Sequence, residues 1–314
     1  MIVVAGEALI DLAPRNGLLA PLPGGSPYNV AVGLGRLQVD TGYLGGLSTD
    51  AFGQRLAARL AEDDVDVSLS PRYAEPTTLA VVHLDDAGRA SYGFYLTDTA
   101  AAVLEAADLP KLPADAALHV SLGAIGLGHR PTGLALAALL RDAGAQRFTS
   151  LDPNVRPTVF DAVDGRDAYR RLLEDLLPSV DLLKLSDEDL TELRPEEPDP
   201  LAVARAWAAR GPALVVVTYG PDGAVAVRPD GSDVEVSGEA VEVVDTVGAG
   251  DAFTSGLIAW CERHHLLDAD ALRAADDAAI ADALRAAVHL AAVTCTRAGG
   301  DPPRLGELTR PPWS

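Results

Sequence analysis

The sequence predicts an α/β protein, a three-layer sandwich with a mostly parallel central sheet and a second, small β-sheet. Three observations carry that expectation. From about residue 114, short apolar strands alternate with Ala- and Leu-rich helical stretches. Right-handed crossovers turn such a repeat into a parallel sheet with helices on both faces. Residues 77–97 break the pattern, with two β-rich runs flanking Asp85-Asp86-Ala87-Gly88, which is a hairpin signal. Finally, glycine-rich turns at 24–25 and 248–250 stand before helices, where an open α/β sheet binds its ligands.

Taken in order, the chain opens with a strand, Ile2 to Ala5, followed by Gly6-Glu7-Ala8-Leu9-Ile10-Asp11. Asp11 lies in an apolar context where a carboxylate needs a partner, although a solvated strand end would also accommodate it. Pro23-Gly24-Gly25-Ser26-Pro27-Tyr28-Asn29 leads into a helix. Its glycines would let backbone approach a ligand, and Asn29 offers an amide from the first turn; a plain turn with an N-cap reads the same way. The hairpin runs are 78–84 and 90–96. Strands are expected at 118–122, 148–151, 182–185 and 214–218, helices near 131–143, 165–177 and 200–210, and packed helix through the Ala-rich stretch 271–293. Asp152-Pro153-Asn154-Val155-Arg156 follows a strand and supplies an Arg fork for phosphate or sugar, or else a surface Asx turn. Lys184 is one of two lysines, with Lys111, in a chain that otherwise uses Arg, which suits a compact ammonium near phosphate.

Composition excludes several classes. With 48% hydrophobic and 23% charged residues over 314 positions, the chain can bury a large core. Its 25 basic and 46 acidic residues give a net charge of -21, a field that repels nucleic acid and anionic membranes. Any phosphate site must therefore be a local positive or dipolar pocket. The first residues lack the basic n-region of a signal peptide, and no apolar run is long enough to span a bilayer, so a cytoplasmic protein is expected. Cys261 and Cys295 make neither a disulfide framework nor a zinc cluster, and the six histidines show no metal-ligand spacing. P-loop, dinucleotide-binding, zincin and serine-hydrolase motifs are absent.

The chemistry concentrates in Val243-Val244-Asp245-Thr246-Val247-Gly248-Ala249-Gly250-Asp251-Ala252-Phe253. Apolar residues alternating from Val241 read as a strand arriving at a loop, and a helical pattern leaves through Leu257, Ile258 and Cys261. A Gly-Ala-Gly loop can turn tightly and let an anion approach its N–H groups, and the helix N-terminus adds donors and a positive dipole. Asp251 is the one group there able to accept a proton. An anion cradle beside a carboxylate is what phosphoryl transfer to a hydroxyl requires. Ordinary turn glycines and a dipole-complementing Asp share this spacing.

The residue string is more specific than its spacing. Asp-Thr-Val-Gly-Ala-Gly-Asp-Ala-Phe resembles the C-terminal signature of the ribokinase/PfkB family of sugar kinases. Gly-Glu-x-Leu-Ile-Asp followed by Gly-Gly-x-x-Asn resembles that family's N-terminal half, and Tyr43 to Gly53 follows its strand and glycine-rich turn. The resemblance spans essentially the whole chain. It implies one ribokinase-like domain over residues 1–314, with a β-lid contributed by roughly 11–22 and 77–97. In the family such lids close over the sugar and often pair between subunits, which implies a homodimer.

The same resemblance assigns roles. Asp251 would be the catalytic base, with Gly248, Ala249 and Gly250 as the anion hole. Asp11, Gly24, Gly25 and Asn29 would hold the sugar, joined by Asn154 and Arg156. Lys184, Ser186, Thr218, Gly220 and Gly223 would line the nucleotide. Ser186-Asp187-Glu188-Asp189 resembles the family's Asn-x-x-Glu element, which organises a magnesium shell through water. Here Ser replaces Asn and Asp189 replaces Glu, so Glu188 is expected to share that task. Carbonyls around Asp245 and Val247, with the closing loop 295–303, imply a monovalent-cation site for potassium, although Asp301 stands where Asn is frequent. The implied activity is that of an ATP-dependent, fructokinase-like sugar kinase acting on a primary hydroxyl. A 2-keto-3-deoxygluconate, ribose or nucleoside kinase shares the scaffold. A catalytically silent carbohydrate sensor is the alternative of a different class.

Overall fold

The computed structural model describes residues 1–15, 18–84, 90–308 and 313. Strand β1 (Ile2–Ala5) leads into the hairpin β2 (Leu9–Arg15) and β3 (Leu18–Gly24), then helix α1 (Ser26–Arg36). Strands β4 (Thr41–Leu44) and β5 (Leu47–Ser48), helix α2 (Ala51–Glu62), and the short strands β6 (Val65–Asp66) and β7 (Arg72–Tyr73) precede the paired β8 (Thr78–Leu84) and β9 (Ala90–Tyr95). The alternating part follows: β10 (Ala117–Ser121), α3 (Thr132–Ala143), β11 (Thr149–Asp152), α4 (Arg166–Leu176), β12 (Leu182–Ser186), α5 (Asp187–Leu193), α6 (Pro200–Ala208) and β13 (Leu214–Thr218). An antiparallel pair, β14 (Gly223–Val227) and β15 (Asp233–Ser237), leads to helices α7 (Ala249–Arg263), α8 (Ala269–Ala274) and α9 (Asp277–Cys295).

The main sheet has nine strands in the order β15-β14-β13-β12-β11-β10-β1-β4-β6, parallel from β6 to β13. Strands β1, β4, β10 and β11 are buried along their whole length, so both of their faces lie in the core and β1 and β13 read as continuous apolar runs rather than alternating ones. Side chains of β1 divide between two cores. Ile2 and Val4 pack with α1, α2, α7, α8 and α9, while Val3 and Ala5 pack with α3, α4, α5 and α6. That is the three-layer sandwich.

The lid is a separate four-stranded sheet in the order β3-β2-β8-β9. Strand β2 pairs antiparallel with β3 and parallel with β8, and β8 antiparallel with β9, so the strands within 9–24 and 78–95 share one small sheet. The turn at 85–88 lies outside the described residues, as do residues 16–17 within the 11–22 segment.

Three expectations need correction. The segment from Val241 to Val247 is not a strand; Val243 and Val244 are exposed, and the N–H groups of Val244 and Asp245 bond the Cys295 carbonyl at the end of α9. Its alternation marks a loop laid across a helix end. The Ala-rich stretch breaks at Ala275, because the Asp276 side chain caps α9 by accepting the Ala279 N–H. Helix α9 is also long and apolar enough to cross a membrane by length and composition, contrary to the sequence reading. Within the fold it packs on α7, with Ile280, Leu284, Ala287 and Leu290 buried.

Candidate active site

Strands β1, β10, β11 and β12 all end at the same edge of the sheet. The chain leaves β1 toward β4 on one side and returns to β10 on the other, so this edge holds the topological switch point at which α/β sheets bind ligands. Helices α1 and α7 both begin there. Gly25 caps α1 at φ 105°, and a Cβ at that position would press on the Glu7 carbonyl at 2.6 Å. Gly248 caps α7 in the left-handed region at φ 74°. In both places glycine is required by backbone conformation.

Asp251, in the first turn of α7, is held by the first turn of α1. Ser26 Oγ donates to its Oδ1 at 2.7 Å, and Asn29 Nδ2 donates to its Oδ2 at 2.8 Å. Ser26 Oγ also bonds Ser121 Oγ at 2.8 Å, tying the pair to the end of β10. Each carboxylate oxygen keeps a free lone pair. Burial raises the Asp251 carboxyl above its ordinary value, against the Asn29 and Ser26 bonds that stabilise its charge. Such a group is a better proton acceptor than a solvated aspartate.

Asp11 sits on β2 of the lid, where a Cβ on Gly24 would overlap its Oδ2. Gly24 therefore makes room for the carboxylate. Burial, and next the charge of Asp251, push the Asp11 carboxyl up to about 6. Glu7, which sequence reasoning did not single out, lies buried against the turn that follows β10. Its Oε1 accepts the Ala124 N–H at 2.9 Å, and its Oε2 has no hydrogen-bond partner among the described residues. Burial pushes Glu7 up to about 7. The folded state thus binds a proton that the unfolded chain releases above about pH 4.5. Its stabilising contribution is full below that value and is lost as pH rises through about 7, a loss of about 3 kcal/mol. Glu7→Gln should remove this term, so wild type should lose roughly 3–5 °C more in Tm than the variant between pH 5 and 8. Parallel Tm curves would show that Glu7 is ionised in the folded protein.

On the other flank, Lys184 Nζ bonds Asp152 Oδ2 at 3.0 Å, with side chains 7% and 3% exposed. Burial would lower the ammonium, but Asp152, Asp189 and Asp251 hold it above its usual value. A Cβ on Gly250 would meet only Lys184 Nζ, at 3.3 Å. Backbone donors, a helix N-terminus and a fixed cation thus converge beside Asp251.

The remaining expected residues divide. Ser186 caps α5 and pairs in register with Thr218, and a Cβ on Gly220, at φ 52°, would meet nothing within 4 Å. Gly223 belongs to the sheet instead: at φ 113° its missing Cβ would overlap the Val236 carbonyl. Asn154, at φ 40°, sits against Gly123, whereas Arg156 Nη1 is turned to the carbonyls of Asn154 and Val155.

Asp189 does not offer an open carboxylate. Its Oδ2 accepts the Ser186 N–H and its Oδ1 the Val155 N–H, both at 2.8 Å, while Glu188 is exposed. Among the described residues no cluster of three His, Cys, Asp or Glu could cage a metal ion. These residues fit a magnesium ion carried by phosphates with its own water shell, which is how that ion is commonly held. The Asp245 carboxylate accepts the N–H groups of Val247 at 3.0 Å and Gly299 at 2.8 Å, joining the two loops of the expected cation site. Ser26, Ser121 and Asp152 were missed; the last was inferable, since a lysine inside a strand needs a carboxylate partner.

Comparison with known proteins agrees with this geometry. Residues 1–305 match the pfkB family carbohydrate kinase. Fructokinase from Rhizobium leguminosarum bv. trifolii is 38% identical, over 89% of this chain and 85% of its own. Among solved structures, fructokinase from Xylella fastidiosa with bound ATP superposes at a TM-score of 0.84 and 28% identity, covering 95% of this chain and 93% of that one. A double mutant of Vibrio cholerae O395 fructokinase, bound to fructose, ADP and potassium ion, gives 0.81 at 29% identity, again covering 95% and 93%. With a match spanning nearly its whole length and relatives above 30% identity, this chain belongs to the pfkB family of carbohydrate kinases.

Proposed function

We propose that the protein is an ATP-dependent fructokinase, transferring the γ-phosphoryl group to a primary hydroxyl of fructose. The observation that carries this is Asp251, held between the first turns of α1 and α7 beside an anion cradle. The choice of fructose rests on the fructokinases named above.

In this reading Asp251 takes the proton of the attacking hydroxyl. The N–H groups of Gly248, Ala249 and Gly250 meet the developing phosphoryl charge, and Lys184 supplies a fixed cation beneath Gly250. A loose transition state makes positioning and charge stabilisation outweigh the base. Asp11 and Asn29 orient the sugar, with Gly24 and Gly25 admitting it. Ser186, Thr218 and Gly220 line the nucleotide. Magnesium, when bound with the phosphates, neutralises their charge; Asp189 acts on its waters at most through the Lys184–Asp152 cluster. Asp245 and the backbone at Val247 are placed to border a potassium ion. We read residues 1–314 as one catalytic unit, cytoplasmic because its co-substrate ATP is intracellular. Leu18 and Leu19 on β3 and Tyr95 on β9 are exposed on the two edge strands of the lid, which supports a homodimer through that sheet.

The test is ADP release with fructose, ribose, 2-keto-3-deoxygluconate and adenosine, with fructose expected to turn over best. Asp11→Ala should raise the sugar KM at least about tenfold, roughly 1.4 kcal/mol, and barely move the ATP KM. Sugar binding without ADP release would favour a silent sensor. Equal losses in both constants would make Asp11 a scaffold residue.

A further inference from the structure

The loop after α9 reaches the anion cradle from outside the site. A Cβ on Gly248 would press on Gly300 Cα at 2.8 Å, and one on Gly300 would stand 3.5 Å from Asn29 Nδ2. The Gly299 N–H is fixed to Asp245, as described. The loop's far side is pinned by ions. Asp301 Oδ1 accepts from Arg36 Nη1 and from Arg59 Nη2, each at 2.7 Å. Arg36 Nη1 also donates to the Pro302 carbonyl, and Arg36 Nε bonds the buried Asp63 at 3.1 Å. Arg304 closes on the other oxygen of Asp63.

Arg36 lies two turns along α1 from Asn29, so one helix carries both the partner of Asp251 and the anchor of this loop. Arg36 and Asp63 have side chains only 9% and 1% exposed, and their contacts are charge-assisted. Burial acts to raise Asp301, yet the bonds and charges of Arg36 and Arg59 hold it below the usual carboxylate range. The acid therefore stays charged and bonded wherever the enzyme would work. None of these groups takes part in the chemistry assigned above.

We propose that the Arg36–Asp301–Arg59 network is a positioning device that presses the 299–301 loop onto Gly248 and so fixes the anion cradle for the triphosphate. Asp301 and Arg59 are positioning residues, acting through backbone they hold and not through contact with substrate. The consequence is selective: loosening the network weakens triphosphate binding and leaves the sugar side, built on β2 and the start of α1, in place. The effect on ATP rests on the kinase reading; the effect on the cradle backbone does not.

The test uses Asp301→Ala and Arg59→Met, both at partly exposed positions, and the double variant. Magnesium-ATP affinity, measured by calorimetry, should weaken about three- to tenfold in each single variant, with the sugar KM within about twofold. In the Asp301→Ala background, Arg59→Met should add nothing, because Arg59 reaches the cradle only through Asp301. Amide exchange at 247–251 should speed up in both single variants without ligand present. Unchanged exchange at 247–251 would overturn the proposal, whatever happens to ATP. So would additive losses, or a lowered Tm with ATP affinity intact. If exchange speeds up while wild type binds no ATP, the positioning stands and the kinase reading fails.

Discussion

Replacing Asp251 by Asn should lower turnover on the order of 10²–10⁴-fold while ATP still binds. The reason lies in what the substitution keeps. Asp251 accepts one bond from Ser26 and one from Asn29. An asparagine presents an oxygen to one of them and an NH2 group to the other. Ser26, whose hydroxyl also bonds Ser121, can turn to accept, so the α1–α7 contact survives. What is lost is the proton acceptor, together with a negative charge that Lys184 and the donors of α1 are arranged to tolerate. Single-turnover rates and ATP affinity, measured on folded protein, separate these effects. Turnover above half of wild type would remove Asp251 from the role of base. Because burial raises its pKa, wild-type turnover should also fall as pH drops toward that raised value, where the carboxylate takes up a proton.

Most of the fold was legible because its signals are local. Strands β12 and β13, ending at Ser186 and Thr218, are mostly apolar runs that close on a polar residue, a signal that needs no knowledge of neighbours. The β-lid was legible for the opposite reason, as a hairpin in a chain that otherwise alternates. What failed was the run from Val241: alternation reports spacing, and it cannot say whether a strand partner exists. Here the partner is a single carbonyl, that of Cys295. The break at Ala275 was hidden because alanine continues a helix pattern, whereas the Asp276 cap ends one from outside.

For the site, the motif located Asp251, its glycines and Asn29, because their spacing is short and their neighbours are fixed by two helix starts. Pairings across the sheet were not legible. Lys184 and Asp152 come from different strands, 32 positions apart, and Asp189 spends its oxygens on Ser186 and Val155 instead of facing outward. Glu7 was quoted within a motif yet carried no signal of its own. Its burial, with one oxygen unpartnered among the described residues, is visible only in three dimensions.

The glycines of the cradle should separate in their effects, and Gly250→Val gives the clearest expectation. Gly250 lies inside the first turn of α7 and is not among the positive-φ residues, so its backbone suits any L residue. Valine is the better helix former of the two, and its Cβ would meet nothing but Lys184 Nζ at 3.3 Å. Folding stability should therefore change little. The added methyl groups instead fill the space between Lys184 and the cradle donors, where phosphoryl oxygens have to come within hydrogen-bond distance of backbone N–H. Losing such a donor costs on the order of 10²–10³-fold in turnover. Gly248→Val should behave differently, since φ 74° and the approach of Gly300 at 2.8 Å strain both loops at once. Its Tm should fall together with its activity. Turnover per folded molecule and Tm, measured on both variants, decide the matter. A Gly250→Val protein with a lowered Tm and normal turnover would mean that this glycine serves packing and that the phosphate is bound elsewhere.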